Sequence, residues 1–310
     1  MRVAIVGSRG FIGQHLVAQL LADGAHTLVH VNRTLAAETD AGPRVTARTA
    51  NVLDAASLLP ALADAEVVIN LAWPSNSSPE SWTRNLAKAV QASGARQIIH
   101  CSTAVVAGRT THARVNEHTP PLPTTGYERA KLQAEKQLSE QLAGHVPLII
   151  ARPTVVFGPG GQNLVSLAQA LRRGSTSRDL VRRALFWDRP MHLIPVATVA
   201  GALAFLIGRQ MHSPTVVQIA ADDDPENTYL AVEKRLRAGL QLPSGAVPRL
   251  ALPSALLRLA LRLRGRSDAD PRRRYAGDAL TGLGFEGHEP VGPAVERFGR
   301  WMTEGSEPAC

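Results

Sequence analysis

Cysteine is scarce in this chain. Of 310 residues only Cys101 and Cys310 are cysteine, which suggests neither a disulfide framework nor a thiolate metal cluster and fits a reducing cytoplasm. A long hydrophobic run is lacking too. The greasiest stretch, HLIPVATVAGALAFLIG from His192 to Gly208, is broken by Pro195 and falls short of the roughly 20 residues that cross a bilayer. It predicts a buried strand leading into a helix, not membrane insertion. The opening MRVAIVG enters an apolar strand directly, without the hydrophobic core and small-residue cleavage site of an export signal. No repeat of fixed period, low-complexity tract or nucleic-acid reading motif is present. Acidic residues are outnumbered: 26 Asp plus Glu face 34 Lys plus Arg, a net charge of +8 that attracts anionic ligands without choosing among them. With 45% apolar and 19% charged residues, the composition is that of a folded globular protein.

Across the first half, apolar runs of strand length alternate with helical patterns, the order of a parallel sheet wrapped by helices. Strands are expected at RVAIV, HTLVHV, EVVINLA, RQIIHCS and VPLIIAR, and helices beginning near Phe11, Ala55, Pro79 and Tyr127. After about residue 157 the pattern is less regular and the loops are richer in Gly, Pro and Arg. The expected architecture is α/β: a Rossmann-type doubly wound parallel sheet in residues 1–157, with part of 192–220 returning to it, and a smaller, mainly C-terminal substrate-binding lobe in 158–310. The acidic loop ADDDPEN, Ala221 to Asn227, is expected to cap a helix, with Pro225 in its first turn. Residues 252–266 read as a basic amphipathic helix.

VAIVGSRGFIGQHL places Gly7, Gly10 and Gly13 three apart at the joint between the first strand and the first helix. Glycine lets the backbone turn tightly and approach a diphosphate, and a helix N-terminus offers free N–H groups and the positive end of its dipole. The candidates to hold a dinucleotide here are Gly7, Arg9, Gly10, Phe11, Ile12 and Gly13. The second strand ends HVNRT, with Asn32 where an acid would hold a ribose 2′-hydroxyl and Arg33 after it. Arg33 and Arg9 suit a 2′-phosphate, so NADP is expected in preference to NAD.

In TTGYERAKLQAEKQL, Tyr127 and Lys131 stand four apart on one helix face and can present their head groups to one pocket. An ammonium beside the phenol is expected to lower its pKa and ready it for proton exchange with a carbonyl or hydroxyl. Upstream, Ser102 and Thr103 put hydroxyls at the carboxyl end of a strand, where ligands of such sheets gather.

GSRGFIG, NVLDAASL, VVINLAW, CSTAVVAG, YERAK, RPTVVFGPG and LGF (Leu283 to Phe285) occur in an order that resembles the extended short-chain dehydrogenase/reductase family, its NAD(P)-dependent epimerase and dehydratase group. The resemblance implies that Tyr127 is the acid/base, that Lys131 lowers its pKa and holds the nicotinamide ribose, and that Thr103 orients the carbonyl. It implies that Asn51 and Val52 flank the adenine, that Leu71, Ala72 and Pro153 line the cofactor, and that a homodimer forms through the helix bearing the Tyr-Lys pair and its neighbour.

The departures from the family pattern narrow the chemistry. Ala104 and Val105 stand where dehydratases of the family carry an Asp-Glu pair, which argues against dehydration. Val155 and Val156 replace an asparagine that contacts the sugar-nucleotide diphosphate, and valine donates no hydrogen bond. Ala197 and Thr198 replace an acidic pair. Trp73, Ser102, Trp187 and His192 are the candidates to wall the substrate, and a packing role competes for each tryptophan and the histidine. His112, Glu117 and His118 lack the spacing of a metal site and are expected in a loop. Three readings follow: an NADP-dependent reductase of a ketone on a sugar-nucleotide-like or secondary-metabolite substrate, a nucleotide-sugar epimerase with tightly held NAD(P), and a non-catalytic dinucleotide-sensing protein.

Overall fold

The computed structural model describes residues 1–34, 44–174, 176–244 and 272–304. The expected basic helix 252–266 and Cys310 lie outside the described residues.

The chain forms two compact units, the first made of Met1–Val106, Gly126–Arg152 and Val199–Val217, the second of Ala107–Thr125, Pro153–Thr198 and Gln218–Cys310. In the first run β1 (Arg2–Val6), α1 (Phe11–Asp23), β2 (Thr27–Asn32), β3 (Val45–Thr49), α2 (Ala55–Leu62), β4 (Val67–Asn70), α3 (Pro79–Ser93) and β5 (Gln97–Cys101). A two-residue strand, β6 (Arg114–Val115), precedes α4 (Gly126–Leu142) and β7 (Leu148–Pro153). Further along come β8 (Val155–Phe157), α5 (Val165–Arg172), α6 (Thr176–Phe186), β9 (Leu193–Pro195), α7 (Val196–Leu206), β10 (Thr215–Ile219) and α8 (Tyr229–Gly239).

Seven strands form one sheet in the order β10-β7-β5-β4-β1-β2-β3, and each pairing from β7 to β3 is parallel. β1, β4 and β5 are apolar and buried almost throughout because helices cover both faces of such a sheet. Strand order reverses at β1, which pairs with β2 on one side and β4 on the other, and a crevice opens there at the carboxyl ends of the strands. Local signals start and stop the helices. The Asp54 carboxylate accepts the Ala56 N–H at 3.0 Å to cap α2, and Pro79 opens α3. The sheet and helices enclose a core of Val29, Val31, Leu58, Val68, Trp82, Leu86, Ile98 and Leu138.

The expected strand and helix between His192 and Gly208 are β9 and α7. Two expectations need correction. β3, sequence VTART, escapes notice because it is short, holds only Val45 and Ala47 as apolar residues and is the half-exposed edge of the sheet. The acidic loop does not place Pro225 in a helix: α8 starts at Tyr229, and Asp224 instead accepts the N–H groups of Glu226 and Val291, each at 2.8 Å.

The second unit packs α5, α8 and a C-terminal helix (Val291–Thr303) around Phe157, Leu171, Leu236 and Phe298. α8 meets the C-terminal helix through Gly239, where a Cβ would lie 2.2 Å from the Glu296 carbonyl oxygen. A buried network links α6 to α8: Arg183 grips Glu233 at 2.9 and 2.8 Å, and Arg237 bonds both Glu233 at 2.9 Å and Asp179 at 2.7 Å.

Candidate active site

The glycine-rich turn after β1 is fixed from below. Gly7 N–H donates to Val31 O at 2.8 Å and Gly10 N–H to Gly7 O at 3.0 Å. Gly7 has φ of 85°, and a Cβ there would meet Ala72 N at 3.0 Å, so only glycine suits the turn. At Gly13 a Cβ would stand 2.5 Å from Gly7 O, which holds α1 against the turn. No side chain caps α1, so the first N–H groups of the helix, from Phe11 to Gly13, face its open N-terminal end.

Asn32 ties this turn to β2. Its Oδ1 accepts the Arg9 N–H at 3.1 Å and its Nδ2 donates to Ser8 Oγ at 2.8 Å. The amide that stands where an acid was sought is therefore committed to the loop. Arg9 and Arg33 are both exposed. Arg9 Nη1 lies 3.4 Å from Thr34 O and Oγ1, and among the described residues Arg33 has no carboxylate partner.

A cleft of about 490 Å³ runs along the carboxyl ends of the strands. It is lined by Gly7, Gly10, Asn32, Arg33, Asn51, Val52, Leu71, Ala72 and Trp73, all of them positions singled out in the sequence. Asn51 Oδ1 accepts the Leu53 N–H at 3.1 Å, and Leu71 N–H donates to Val6 O at 2.9 Å. The cleft is also lined by Ser75, Asn76 and Ser77, which sequence reasoning missed because the polar loop after β4 carries no motif.

Trp73 joins this cleft to the Tyr-Lys pair. Its ring centre lies 5.9 Å from that of Tyr127 at 82°, and the Lys131 Nζ lies 4.0 Å from it. Behind it the wholly buried Trp82 packs edge-on at 5.8 Å. Tyr127 is 49% exposed, whereas Lys131 is buried. Partial burial, with the Cys101 thiol next, pushes the Tyr127 phenol above its ordinary value. Burial pulls the Lys131 amine below its own, against the opposing pull of Cys101 and Glu135. The lowered phenol expected from the sequence is not what this geometry gives, since desolvation of the phenol dominates.

The hydroxyls follow β5. Ser102 N–H donates to Ala151 O at 2.7 Å, and its buried Oγ has no partner among the described residues. Thr103 Oγ1 accepts the Val105 N–H at 3.4 Å, at the start of a 3-10 turn over Ala104–Ala107. A further pair was missed: in the core, Asn70 Nδ2 donates to His100 Nδ1 at 3.0 Å while its Oδ1 accepts the Ala72 N–H at 3.2 Å. Both residues sit inside strand runs that read as apolar, so periodicity hides them.

Pro153 ends β7. Trp187 and His192 belong to the second unit and have positive φ, 37° and 55°. His192 Nδ1 lies 2.6 Å from Asp222 Oδ2, which also accepts the Tyr275 N–H at 2.7 Å. No group of three or more metal-ligating side chains occurs among the described residues.

Two curated proteins are each 29% identical to this chain: an N-acetyl-alpha-D-glucosaminyl-diphospho-ditrans,octacis-undecaprenol 4-epimerase of Escherichia coli O157:H7 over 186 residues, and a 2-alkyl-3-oxoalkanoate reductase of Stenotrophomonas maltophilia (strain K279a) over 189. Each match covers 56% of this chain, with 54% of the first protein and 57% of the second, so the match spans about half the length of these relatives. Among solved structures, the dTDP-glucose 4,6-dehydratase of Bacillus anthracis str. Ames in complex with NAD superposes with a TM-score of 0.74. That likeness covers 99% of this chain and 98% of the other at 14% identity, and it shows the shared fold. Residues 3–181 match the family described as NAD dependent epimerase/dehydratase, and the chain belongs to that family.

Proposed function

We propose that this protein is an NADP-dependent reductase of a ketone on a sugar-nucleotide-like or secondary-metabolite small molecule. One observation carries the reading: the cleft lined by the glycine turn is lined also by Trp73, and Trp73 holds Tyr127 and Lys131 beside it. The residues fit a dinucleotide. Bare backbone at Gly7 and Gly10 and the uncapped start of α1 suit a diphosphate, and the exposed guanidiniums of Arg9 and Arg33 suit a phosphate on the adenine ribose.

Bound in this cleft, NADPH would supply the hydride for the carbonyl carbon. Thr103 orients the carbonyl oxygen by donating a hydrogen bond, and Tyr127 Oη gives that oxygen its proton as the C–O bond becomes a hydroxyl. Lys131 sustains the phenolate that remains until solvent reprotonates it. The apolar replacements Val155, Val156 and Ala197 support a substrate less polar than a typical nucleotide sugar. The reaction is assigned to the cytoplasm. Among the described residues no helix is long and apolar enough to cross a membrane.

The test is net consumption of NADPH, with NADH alongside, against a panel of keto sugar nucleotides and oxoalkanoates. Stoichiometric alcohol formation with NADPH supports the reading. Similarity to a 4-epimerase favours a second reading, in which the protein retains absorbing nucleotide through purification and isomerises substrate without added cofactor; no net NADPH use would then be seen.

A further inference from the structure

We infer that Trp73 is a positioning residue for the proton-transfer pair: its indole face holds the Lys131 ammonium at the site where Tyr127 works. The inference rests on the function proposed above for Tyr127 and Lys131, and it assigns to Trp73 a task that a wall of the cleft would not have.

The geometry supplies three parts. The first is the ammonium, which lies 4.0 Å from the Trp73 ring centre and 5.9 Å from that of Tyr127. A buried ammonium needs compensation for lost water, and no carboxylate oxygen stands in ion-pair contact with Lys131 among the described residues. Glu135, one turn along α4, is occupied on both oxygens by Arg152, at 3.0 and 2.5 Å. The negative face of an indole is the strongest aromatic partner for such a charge.

The second part is how firmly the indole itself is held. Trp82, fully buried, packs against it at 82° and 5.8 Å. The backbone just before it is pinned, since Ala72 N–H donates to Asn70 Oδ1 and Asn70 in turn donates to His100 Nδ1. Trp73 therefore takes its position from the core and passes it to Lys131. The third part is Tyr127, whose ring stands at 82° to the indole. One side chain thus touches both members of the pair. An aliphatic residue at 73 would leave the ammonium free to swing away from the phenol.

Two measurements test this. In the first, urea unfolding midpoints are compared for the wild type, Trp73→Leu, Lys131→Met and the double variant. Trp73→Leu is expected to lower the midpoint less in the Lys131→Met background than alone, because only packing is then lost; equal drops in both backgrounds would overturn the inference. In the second, NADPH-dependent turnover is followed against pH. Trp73→Leu is expected to lower kcat about tenfold, with the KM for NADPH within about threefold of wild type and the apparent pKa of the phenol limb raised. Trp73→Phe, which keeps an aromatic face, is expected to recover most of kcat. A limb that stays in place, or a leucine variant as active as wild type, would overturn the inference. Should Trp73→Leu not fold, Trp73→Phe takes its place in the unfolding comparison, where coupling of reduced size supports the contact and none overturns it. The unfolding comparison needs no substrate, so loss of the proposed function through a fully active Tyr127→Phe would be seen separately from loss of the Trp73–Lys131 contact.

Discussion

Glu135 and Arg152 meet through two parallel hydrogen bonds, Nε to Oε1 at 3.0 Å and Nη2 to Oε2 at 2.5 Å, with both side chains buried. The pair joins α4 to β7 one turn beyond Lys131. Such a pair adds little over a well-packed apolar substitute, but a lone survivor is costly because its charge stays buried without a partner. Glu135→Ala is therefore expected to lower unfolding free energy by about 3 to 5 kcal/mol. Replacing both partners with apolar residues of similar volume should cost less than this single change. Urea unfolding of the two variants checks the order.

Arg33 lines the cleft with an exposed guanidinium that no described carboxylate neutralises. Arg33→Ala is expected to weaken NADPH binding about tenfold, in the range of one charge-assisted hydrogen bond, and to leave NADH binding unchanged. The difference should shrink as salt is raised, since exposed charges are screened. Equilibrium titration with both dinucleotides at two ionic strengths gives the answer.

His100 is wholly buried, and burial followed by the charge of Lys131 pulls its pKa down from 6.5 to about 3. The unfolded chain thus binds a proton that the folded chain refuses between those two values. The stability that depends on a neutral His100 is complete above about pH 6.5 and falls as the pH drops towards 3, by about 1.4 kcal/mol per unit. Unfolding free energies measured from pH 7 to pH 5 should decline less steeply in His100→Gln than in the wild type.

How much of this was legible beforehand depended on whether a residue's role left a local mark. The starts of α1, α2 and α3 were readable because a strand-to-helix glycine turn, Asp54 and Pro79 each act within a few residues of where they stand. Gly7, Asn32, Asn51 and Trp73 fell in one cleft because the parallel register brings the carboxyl ends of β1, β2 and β4 level, a consequence of the fold class itself. The use made of Asn32 was not readable: its bonds to Ser8 and Arg9 depend on how closely the glycine turn approaches β2. The Asn70–His100 bond links neighbouring strands through residues 30 apart, and no sequence period announces such a pair. The direction of the Tyr127 shift was misjudged for a related reason. Spacing of four places Lys131 on the right face of α4, but it does not say how far burial of the phenol will outweigh the nearby ammonium.

The proposed function depends most on Tyr127 as the proton donor to a ketone reduced at the expense of NADPH. Its most direct test is Tyr127→Phe, assayed for turnover with the ketone that wild type reduces and titrated separately with NADPH. Loss of the hydroxyl should lower kcat by about 10² to 10⁴ while the dissociation constant for NADPH stays within about threefold of wild type. A phenylalanine variant that reduces the ketone at the wild-type rate would contradict that role of Tyr127.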